Sequence, residues 1–116
     1  MTEEGQIVLF HFPQTNLAIV KLRPALVLRE LPGKYDDWLI CMISSRLKQG
    51  IVDFDELIDS TDSDFKESGL KVPSLVRISR LAVVNSDIFI GKLGKIDNLR
   101  LLNIRKKLSA WLLTGK

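Results

Sequence analysis

The apolar residues of this chain form short runs, broken by proline, glycine and serine, up to about residue 96. Runs of this length are typical of β-strands, and the residues between them are typical of turns. From residue 97 onward the apolar spacing changes to that of a helix. The sequence therefore predicts a mainly β fold, a small and partly closed barrel of short strands with one C-terminal helix packed on it.

Six strands are expected from the apolar runs. They are predicted at residues 7–12, 23–28, 38–43, 56–58, 74–81 and 88–90. Residues 13–22 should form a loop and Leu31–Lys34 a turn. Residues 64–68 fit one helical turn that ends at Gly69. In the fifth strand, strict alternation would place four side chains on one face, namely Leu75, Arg77, Ser79 and Leu81.

The C-terminal helix has a predicted start and end. Asp97 is expected as its N-cap, and Ile96 with Leu101 fits the hydrophobic staple that often accompanies such a cap. Gly115 should stop the helix. The apolar stripe expected to face the sheet consists of Leu101, Ile104, Leu108 and Trp111 with Leu112.

The composition is that of an ordinary folded protein, with 46% hydrophobic and 27% charged residues among 116. This length suits one domain, residues 1–116. No apolar run approaches the roughly 20 residues of a membrane-spanning helix, and the acidic start Met-Thr-Glu-Glu-Gly is unlike a signal peptide. A cytoplasmic protein with no membrane partner is therefore expected. The single cysteine, Cys41, lies in an apolar run and is expected to pack in the core.

Charge is distributed unevenly along the chain. Residues 51–70 hold seven acids and one lysine, whereas residues 71–116 hold ten Lys/Arg and two acids. Such segregation suggests one face that binds a polyanion and a second, acidic face. The alternative is that both segments are solvated surface.

The most informative short motif is Arg23-Pro24 followed by Ala-Leu-Val-Leu. Proline fixes the backbone, and the residue before a proline favours extended geometry. Arg23 should therefore be held at the edge of a buried strand. A guanidinium is a permanent cation with a fixed fan of donors, which suits a phosphate group. An arginine that only caps a strand is the alternative.

Six motifs together resemble one family, the PemK/MazF toxins, which are the toxin halves of bacterial toxin–antitoxin pairs. In order, the motifs are Gly5–Val8, Phe12-Pro13, Leu22–Leu28, Ile43–Arg46, Ser68–Leu70 and Ser74–Leu81. The resemblance continues through residues 91–113 and implies an SH3-like barrel of the CcdB/PemK type. It further implies a homodimer that cuts single-stranded RNA through the adjacent 2′-hydroxyl, without metal or other cofactor, and leaves a cyclic phosphate. The implied partners are a cognate antitoxin that covers the RNA groove and operator DNA, which is bound only together with the antitoxin.

The resemblance also implies roles for individual residues. Arg23 takes the position of the family's catalytic arginine, Arg77 that of a second functional arginine, and Ser44 a position most often held by threonine. Ser79 stands where several members carry an aspartate that could orient an arginine or act as a base. The implied RNA-binding positions are Gln14, Thr15, Lys21, Ser45, Arg46 and Arg80.

These side chains can support part of RNA cleavage. The reaction needs an in-line 2′-hydroxyl, stabilisation of charge on the phosphate oxygens, and proton transfer. Arg23 and Arg77 can stabilise the charge, and Ser44 can bind a phosphate oxygen or orient the nucleophile. Serine at position 79 is a poor base. His11 is then the candidate for proton transfer, because imidazole titrates near neutral pH. The alternative is that His11 is a purely structural histidine of the first strand.

No metal site is expected, because one histidine and one cysteine cannot build a zinc cage and the acids are not spaced as a calcium loop. Two other functions stay open. Serine at position 79 is compatible with a non-catalytic module of the same fold that binds antitoxin, operator DNA or RNA. A peptide-binding SH3-like domain ranks last, because such domains use aromatic-lined grooves and this chain has few aromatic residues.

Overall fold

The computed structural model of the protein describes residues 1–13 and 20–115, with the side chains of residues 12, 13 and 20 left out. Its strands are β1 (Gln6–Pro13), β2 (Val20–Glu30), β3 (Asp37–Ser44), β4 (Glu56–Ile58), β5 (Ser74–Asn85) and β6 (Phe89–Lys95). Its α-helices are α1 (Phe65–Ser68) and α2 (Asn98–Thr114), and one of its two short 3-10 turns, Leu47–Gln49, follows β3. The strands form one antiparallel sheet in the order β4-β5-β3-β2-β1-β6.

The mainly β fold with a C-terminal helix is confirmed, but the sheet is open. Strands β4 and β6 are its two edges in the described part of the chain, so no ring of paired strands is completed. All six predicted strands are present, and β2, β5 and β6 are longer than expected. Of the residues expected to form a loop, 13–22, Pro13 belongs to β1 and residues 20–22 belong to β2, whereas residues 14–19 lie outside the described structure.

The sheet separates two apolar layers, as alternating side chains require. The larger layer lies between the sheet and α2, and includes the fully buried Ile7, Leu26, Leu28, Cys41, Val76, Ile78 and Ile104. The second layer, on the opposite face, consists of Val8, Phe10, Ala25, Val27, Trp38 and Ile40. The buried position expected for Cys41 is thus confirmed, and burial raises the pKa of its thiol.

Strand β5 does not alternate without interruption, contrary to the prediction. Met42 of β3 pairs with Arg77, whereas the preceding Cys41 pairs with Leu81, so residues 78–80 are extra residues on β5. A bulge of this kind bends a strand and redirects its side chains. Arg77 is buried and Leu81 is 40% exposed, so the two do not share one environment.

Two glycines allow α1 to pack directly on β6. A Cβ atom at Gly94 would overlap the carbonyl oxygen of Glu67, and one at Gly69 would overlap that of Leu93. Gly69 also has a φ of 75°, in the left-handed region that glycine favours, and it ends α1 as predicted.

Helix α2 follows the prediction except near its end. Leu101, Ile104 and Leu108 are buried against the sheet, and Gly115, with a φ of 72°, stops the helix. Trp111 lies beside the ring of Phe54, with ring centroids 6.0 Å apart, and is 44% exposed. Leu112 is exposed, so the predicted stripe is wrong at this position.

The N-terminus of α2 and the acidic segment are joined. Asp97 occupies the N-cap position, but its side chain makes no capping hydrogen bond, which corrects the prediction. Its N–H donates instead to Asp64, 3.0 Å away. Arg100 forms ion pairs with Glu56, Asp62 and Asp64. The acidic and basic segments therefore meet in one cluster, and the prediction that they form separate faces is wrong there.

Among the described residues, no helix is long and apolar enough to cross a membrane.

Candidate active site

A cavity of about 250 Å³ brings together four of the residues singled out from the sequence. These are Arg23 from β2, Ser44 from β3, and Arg77 and Arg80 from β5. The rest of the described wall consists of Pro24, Met42, Ile43 and Gln49. The cavity is therefore lined by three guanidinium groups and one hydroxyl on a partly apolar base.

The strand register explains why these side chains meet. Met42 of β3 lies opposite Ala25 of β2 and, on its other side, opposite Arg77 of β5. Side chains two residues apart in a strand point to the same face. Arg23 and Ser44 therefore lie next to this row, on the same face of the sheet.

Arg23 brings an unsatisfied donor to the cavity. Its Nε is buried and has no hydrogen-bond partner among the described residues. A buried donor without a partner costs on the order of 1–3 kcal/mol, so such groups are rare in folded proteins. Because Arg23 lines the cavity, an anion there would lie beside a guanidinium that is not fully hydrogen-bonded.

Ser44 is oriented by the turn that follows β3. Its Oγ accepts a hydrogen bond from the backbone N–H of Arg46 at 3.1 Å. With that lone pair used, the hydroxyl hydrogen is available to donate into the cavity. The Arg46 residue itself is exposed and does not line the cavity.

Arg77 is held by a carboxylate that the sequence analysis missed, that of Asp55. Asp55 Oδ2 accepts hydrogen bonds from Arg77 Nε and from the backbone N–H of Ile51, each at 3.0 Å. Its Oδ1 accepts from the N–H of Ser79 at 3.1 Å, and Ser79 Oγ lies 3.2 Å from both oxygens. Arg77 Nη1 additionally donates to Gln49 at 3.3 Å.

The Asp55 carboxylate has no exposed side-chain surface. Burial by itself would raise the pKa of this carboxyl above its ordinary value of 3.8, but the hydrogen bonds from Ile51, Ser79 and Arg77 outweigh burial and lower it. Asp55 is therefore ionised at neutral pH. No local pattern reveals it, since Arg77 and Ser79 follow it by 22 and 24 residues. The one available signal is the serine that replaces an expected aspartate at position 79.

A second cavity of about 460 Å³ adjoins the first and shares Arg23, Pro24, Ile43 and Ser44 with it. Two more of the predicted RNA-binding residues, Lys21 and Ser45, line this cavity. Lys71 lies on its wall as well, a cation that the sequence analysis did not single out.

The remaining predicted residues lie elsewhere or outside the described structure. Ser79 contacts Asp55 and does not line either cavity. His11 is exposed and pairs with Leu22, while Phe10 pairs with Arg23, so alternation directs His11 and Arg23 to opposite faces of the sheet. Gln14 and Thr15 fall outside the described residues.

In the described part of the chain, no three residues of the types His, Cys, Asp and Glu are grouped so that they could hold a metal ion.

The open sheet, its C-terminal helix and the cavity lined by arginines define a small β protein with a cationic site on one sheet face. The sequence profile described as "PemK-like, MazF-like toxin of type II toxin-antitoxin system" matches residues 3–112, and the chain belongs to this family. The family expected from the sequence motifs is thereby confirmed. A search of curated proteins finds no match to this chain.

Solved structures similar to this chain include members of the same group. The MazE-MazF complex from Deinococcus radiodurans aligns with a TM-score of 0.68 at 20% identity, over 96% of this chain and 95% of the other. The Mycobacterium tuberculosis toxin MazF-mt6 aligns with a TM-score of 0.64 at 14% identity, over 92% and 95%. A mycobacterial endoribonuclease in complex with its cognate antitoxin gives 0.64 at 12%, over 98% and 97%. At these identities the likeness concerns the fold.

Proposed function

We propose that this protein is a metal-independent endoribonuclease, the toxin of a type II toxin–antitoxin system that cleaves single-stranded RNA. The observation that carries the proposal is the cavity between β2, β3 and β5, where Arg23, Arg77 and Arg80 surround Ser44. Three permanent cations around one hydroxyl suit a phosphodiester. Membership of a toxin family supports the same conclusion.

In the proposed reaction, the 2′-oxygen of a ribose attacks the adjacent phosphorus, and the bond between phosphorus and the 5′-oxygen breaks. The products are a 2′,3′-cyclic phosphate and a free 5′-hydroxyl, and one proton passes from the 2′-oxygen to the 5′-oxygen. Negative charge grows on the non-bridging oxygens in the transition state, where preorganised donors stabilise it. Arg23 and Arg77 supply these donors, and Ser44 binds a non-bridging oxygen or orients the 2′-hydroxyl.

No side chain is assigned to proton transfer. The described residues that line the cavity include neither a carboxylate nor an imidazole. The strand register directs His11 to the other face of the sheet from Arg23. We therefore assign catalysis to charge stabilisation and orientation, with water carrying the proton.

The proposal extends to binding partners. Lys21 and Ser45, in the adjoining cavity, contact the RNA on one side of the cleaved bond, and Arg80 contacts its phosphate. Gln14, Thr15 and Arg46 stay predicted RNA contacts. Two similar solved structures are complexes with an antitoxin, which supports a cognate antitoxin as the protein partner. Operator DNA, bound only through that complex, stays a prediction. The protein acts in the cytoplasm as a homodimer in this proposal.

Arg23→Ala tests the proposal most directly. In buffer containing EDTA, the parent protein should cleave single-stranded RNA to 2′,3′-cyclic phosphate ends, and the variant should lose about 10²- to 10³-fold in kcat. Arg29→Ala is the matched control, because Arg29 lies on the same strand with its side chain 66% exposed and paired with Glu4. RNA carrying 2′-O-methyl groups should resist cleavage. An Arg23→Ala variant that cleaves at the parent rate would overturn the assignment.

A second candidate function is RNA binding without cleavage, and the absence of a base among the described wall residues favours it. In that case the parent protein would bind a single-stranded RNA in a filter assay, and Arg23→Ala would weaken the binding. No cyclic phosphate ends would form on prolonged incubation. Repeated turnover by the parent protein would exclude this candidate.

A further inference from the structure

We propose that Asp55 is a positioning residue of the RNA-cleaving site: it holds Arg77 so that the free donors of that guanidinium face the cavity. The carboxylate that the family resemblance places at position 79 is, in this chain, supplied from outside β5. The inference rests on the proposed endoribonuclease function and deepens it. Nothing in the amino-acid pattern around Asp55 assigns it this role.

The backbone fixes where the Asp55 carboxylate lies. Asp55 immediately precedes β4, and β4 pairs with β5 through Glu56 opposite Val76. Arg77 is therefore the next residue along the neighbouring strand. The N–H groups of Ile51 and Ser79 bind the two Asp55 oxygens at 3.0 and 3.1 Å, so the carboxylate is anchored independently of Arg77.

This anchored carboxylate determines the orientation of the Arg77 guanidinium. Nε donates to Asp55 and Nη1 to Gln49, at 3.0 and 3.3 Å. Arg77 lines the cavity, and its Nη2 makes no hydrogen bond with the described residues. A long side chain that is already ordered loses less conformational entropy when it binds a transition state. Asp55 thus preorganises the side of Arg77 that meets the RNA.

Asp55 itself does not reach the RNA. Its side chain has no exposed surface, and it does not line the cavity. The lowered pKa of its carboxyl keeps it ionised at neutral pH, which maintains the ion pair. Its effect on the reaction therefore passes through Arg77.

Serine at position 79 fits this arrangement. Ser79 Oγ lies 3.2 Å from both Asp55 oxygens. An aspartate at position 79 would bring a second negative group against the first, which disfavours ionisation of both. Positions 55 and 79 can therefore hold one carboxylate between them, and this chain has it at position 55.

A double-mutant cycle tests whether Asp55 acts through Arg77. Steady-state cleavage in EDTA gives kcat and KM for the parent, Asp55→Asn, Arg77→Ala and the double variant. Asp55→Asn should lower kcat about thirtyfold and change KM by less than about threefold. In the Arg77→Ala background the same substitution should cost less than about threefold, because the group that it positions is gone.

Asp64→Asn is the matched control. Asp64 is also a buried aspartate that binds an arginine Nε and a backbone N–H, those of Arg100 and Asp97, away from the cavity. This control should lower the melting temperature and leave kcat within about twofold in both backgrounds. A loss of kcat in Asp64→Asn as large as that in Asp55→Asn would reduce the role of Asp55 to stability.

Ser79→Asp gives a second, independent test. In the Asp55→Asn background it should restore kcat at least about tenfold, because a carboxylate again lies beside Arg77. In the parent background the same substitution should lower the melting temperature and should not raise kcat. If Asp55→Asn fails to fold, Asp55→Glu takes its place in the cycle, since it keeps the charge but displaces the carboxylate, and the same non-additivity is expected.

The outcomes separate the two proposals. A parent protein that cuts no RNA overturns both the function and the inference. A parent that cuts RNA, with Asp55→Asn at the parent kcat or with losses that multiply in the double variant, overturns the inference alone. Non-additive loss together with rescue by Ser79→Asp supports it.

Discussion

Two buried aspartate–arginine pairs stabilise different parts of this protein. Asp55 binds Arg77 beside the cavity, and Asp64 binds Arg100 where α1, β4 and α2 meet. The two arginine side chains are almost equally buried, 11% and 14% exposed. Their hydrogen bonding differs sharply, so similar burial does not imply that the two arginines are equally satisfied by the protein.

Arg100 has its donors filled. Nε and Nη2 bind Asp64, Nη2 also binds Asp62, and Nη1 binds Glu56 and the carbonyl oxygen of Leu57, all between 2.8 and 3.0 Å. Burial by itself would lower the pKa of Arg100, but the hydrogen bonds that it donates to Asp64 and Asp62 outweigh burial and raise the pKa. Arg100 therefore has no donor left for a ligand.

Arg77 makes two hydrogen bonds among the described residues and leaves the rest of its donors at the cavity. Unsatisfied, permanently charged donors beside a cavity are a reason to expect an anionic ligand. The comparison therefore separates an arginine whose donors are all bonded within the protein from one that has donors left over.

The largest expected effect is on activity. Arg77→Ala should lower kcat for RNA cleavage about 10³-fold, because it removes donors from the developing charge. Arg100→Ala should leave kcat within about threefold of the parent. Steady-state cleavage in EDTA measures kcat for both variants. Equal losses of kcat in the two variants would contradict the distinction between Arg77 and Arg100.

The expected effect on stability has the opposite order. Arg100→Ala should lower the free energy of unfolding by about 3 kcal/mol, since it leaves three acids close together without their shared cation. Arg77→Ala should cost about 1 kcal/mol, because Asp55 keeps its hydrogen bonds from Ile51 and Ser79. Urea denaturation followed by circular dichroism measures both values. A larger loss in Arg77→Ala would contradict this order.

Acid should weaken the ion pair between Asp64 and Arg100. Burial raises the pKa of Asp64, but the hydrogen bonds from Arg100 and Asp97 outweigh it and hold the pKa below its ordinary 3.8. A carboxyl whose pKa is lowered by folding stabilises the fold above its unfolded pKa, and this contribution is lost as pH falls through the folded pKa.

The stability gap between the parent and Asp64→Asn should therefore be largest near pH 7 and shrink below about pH 4. Urea midpoints at a series of pH values measure this gap. A gap that stays constant down to pH 3 would show that the charge of Asp64 contributes nothing.

The smallest expected effect concerns Gln49. Gln49→Ala removes the hydrogen bond to Arg77 Nη1, which is long at 3.3 Å, and leaves the bond to Asp55 in place. We expect a loss of about three- to fivefold in kcat with no change in the urea midpoint. A loss as large as that of Arg77→Ala would shift the positioning role from Asp55 to Gln49.

Most of the fold could be predicted from the sequence, because local spacing determines it. The strand runs, the glycine that ends α1 and the buried stripe of α2 all follow from residues close together in the chain. The bulge at residues 78–80 could not be predicted, since it depends on how β5 pairs with β3. For the same reason, alternation gave an incorrect environment for Leu81.

The site could be predicted in part. The motifs around Arg23, Ser44 and Arg77 indicated residues that the structure places in one cavity, and their roles stay predictions. Asp55 was missed because its contacts with Arg77 and Ser79 span 22 and 24 residues. The charge pattern predicted separate acidic and basic faces, whereas Arg100 joins the two segments across the fold. Sequence separation says nothing about such pairings.

The open sheet leaves two edge strands, β4 and β6, in the described part of the chain. An unpaired edge strand can recruit strands from other chains unless it is short or carries charge. β4 has three residues, and β6 carries Lys92 and Lys95 next to Gly91 and Gly94. Neither edge offers a long apolar strand for another sheet to extend. Association between two copies is therefore expected through a sheet face or a helix rather than by strand addition.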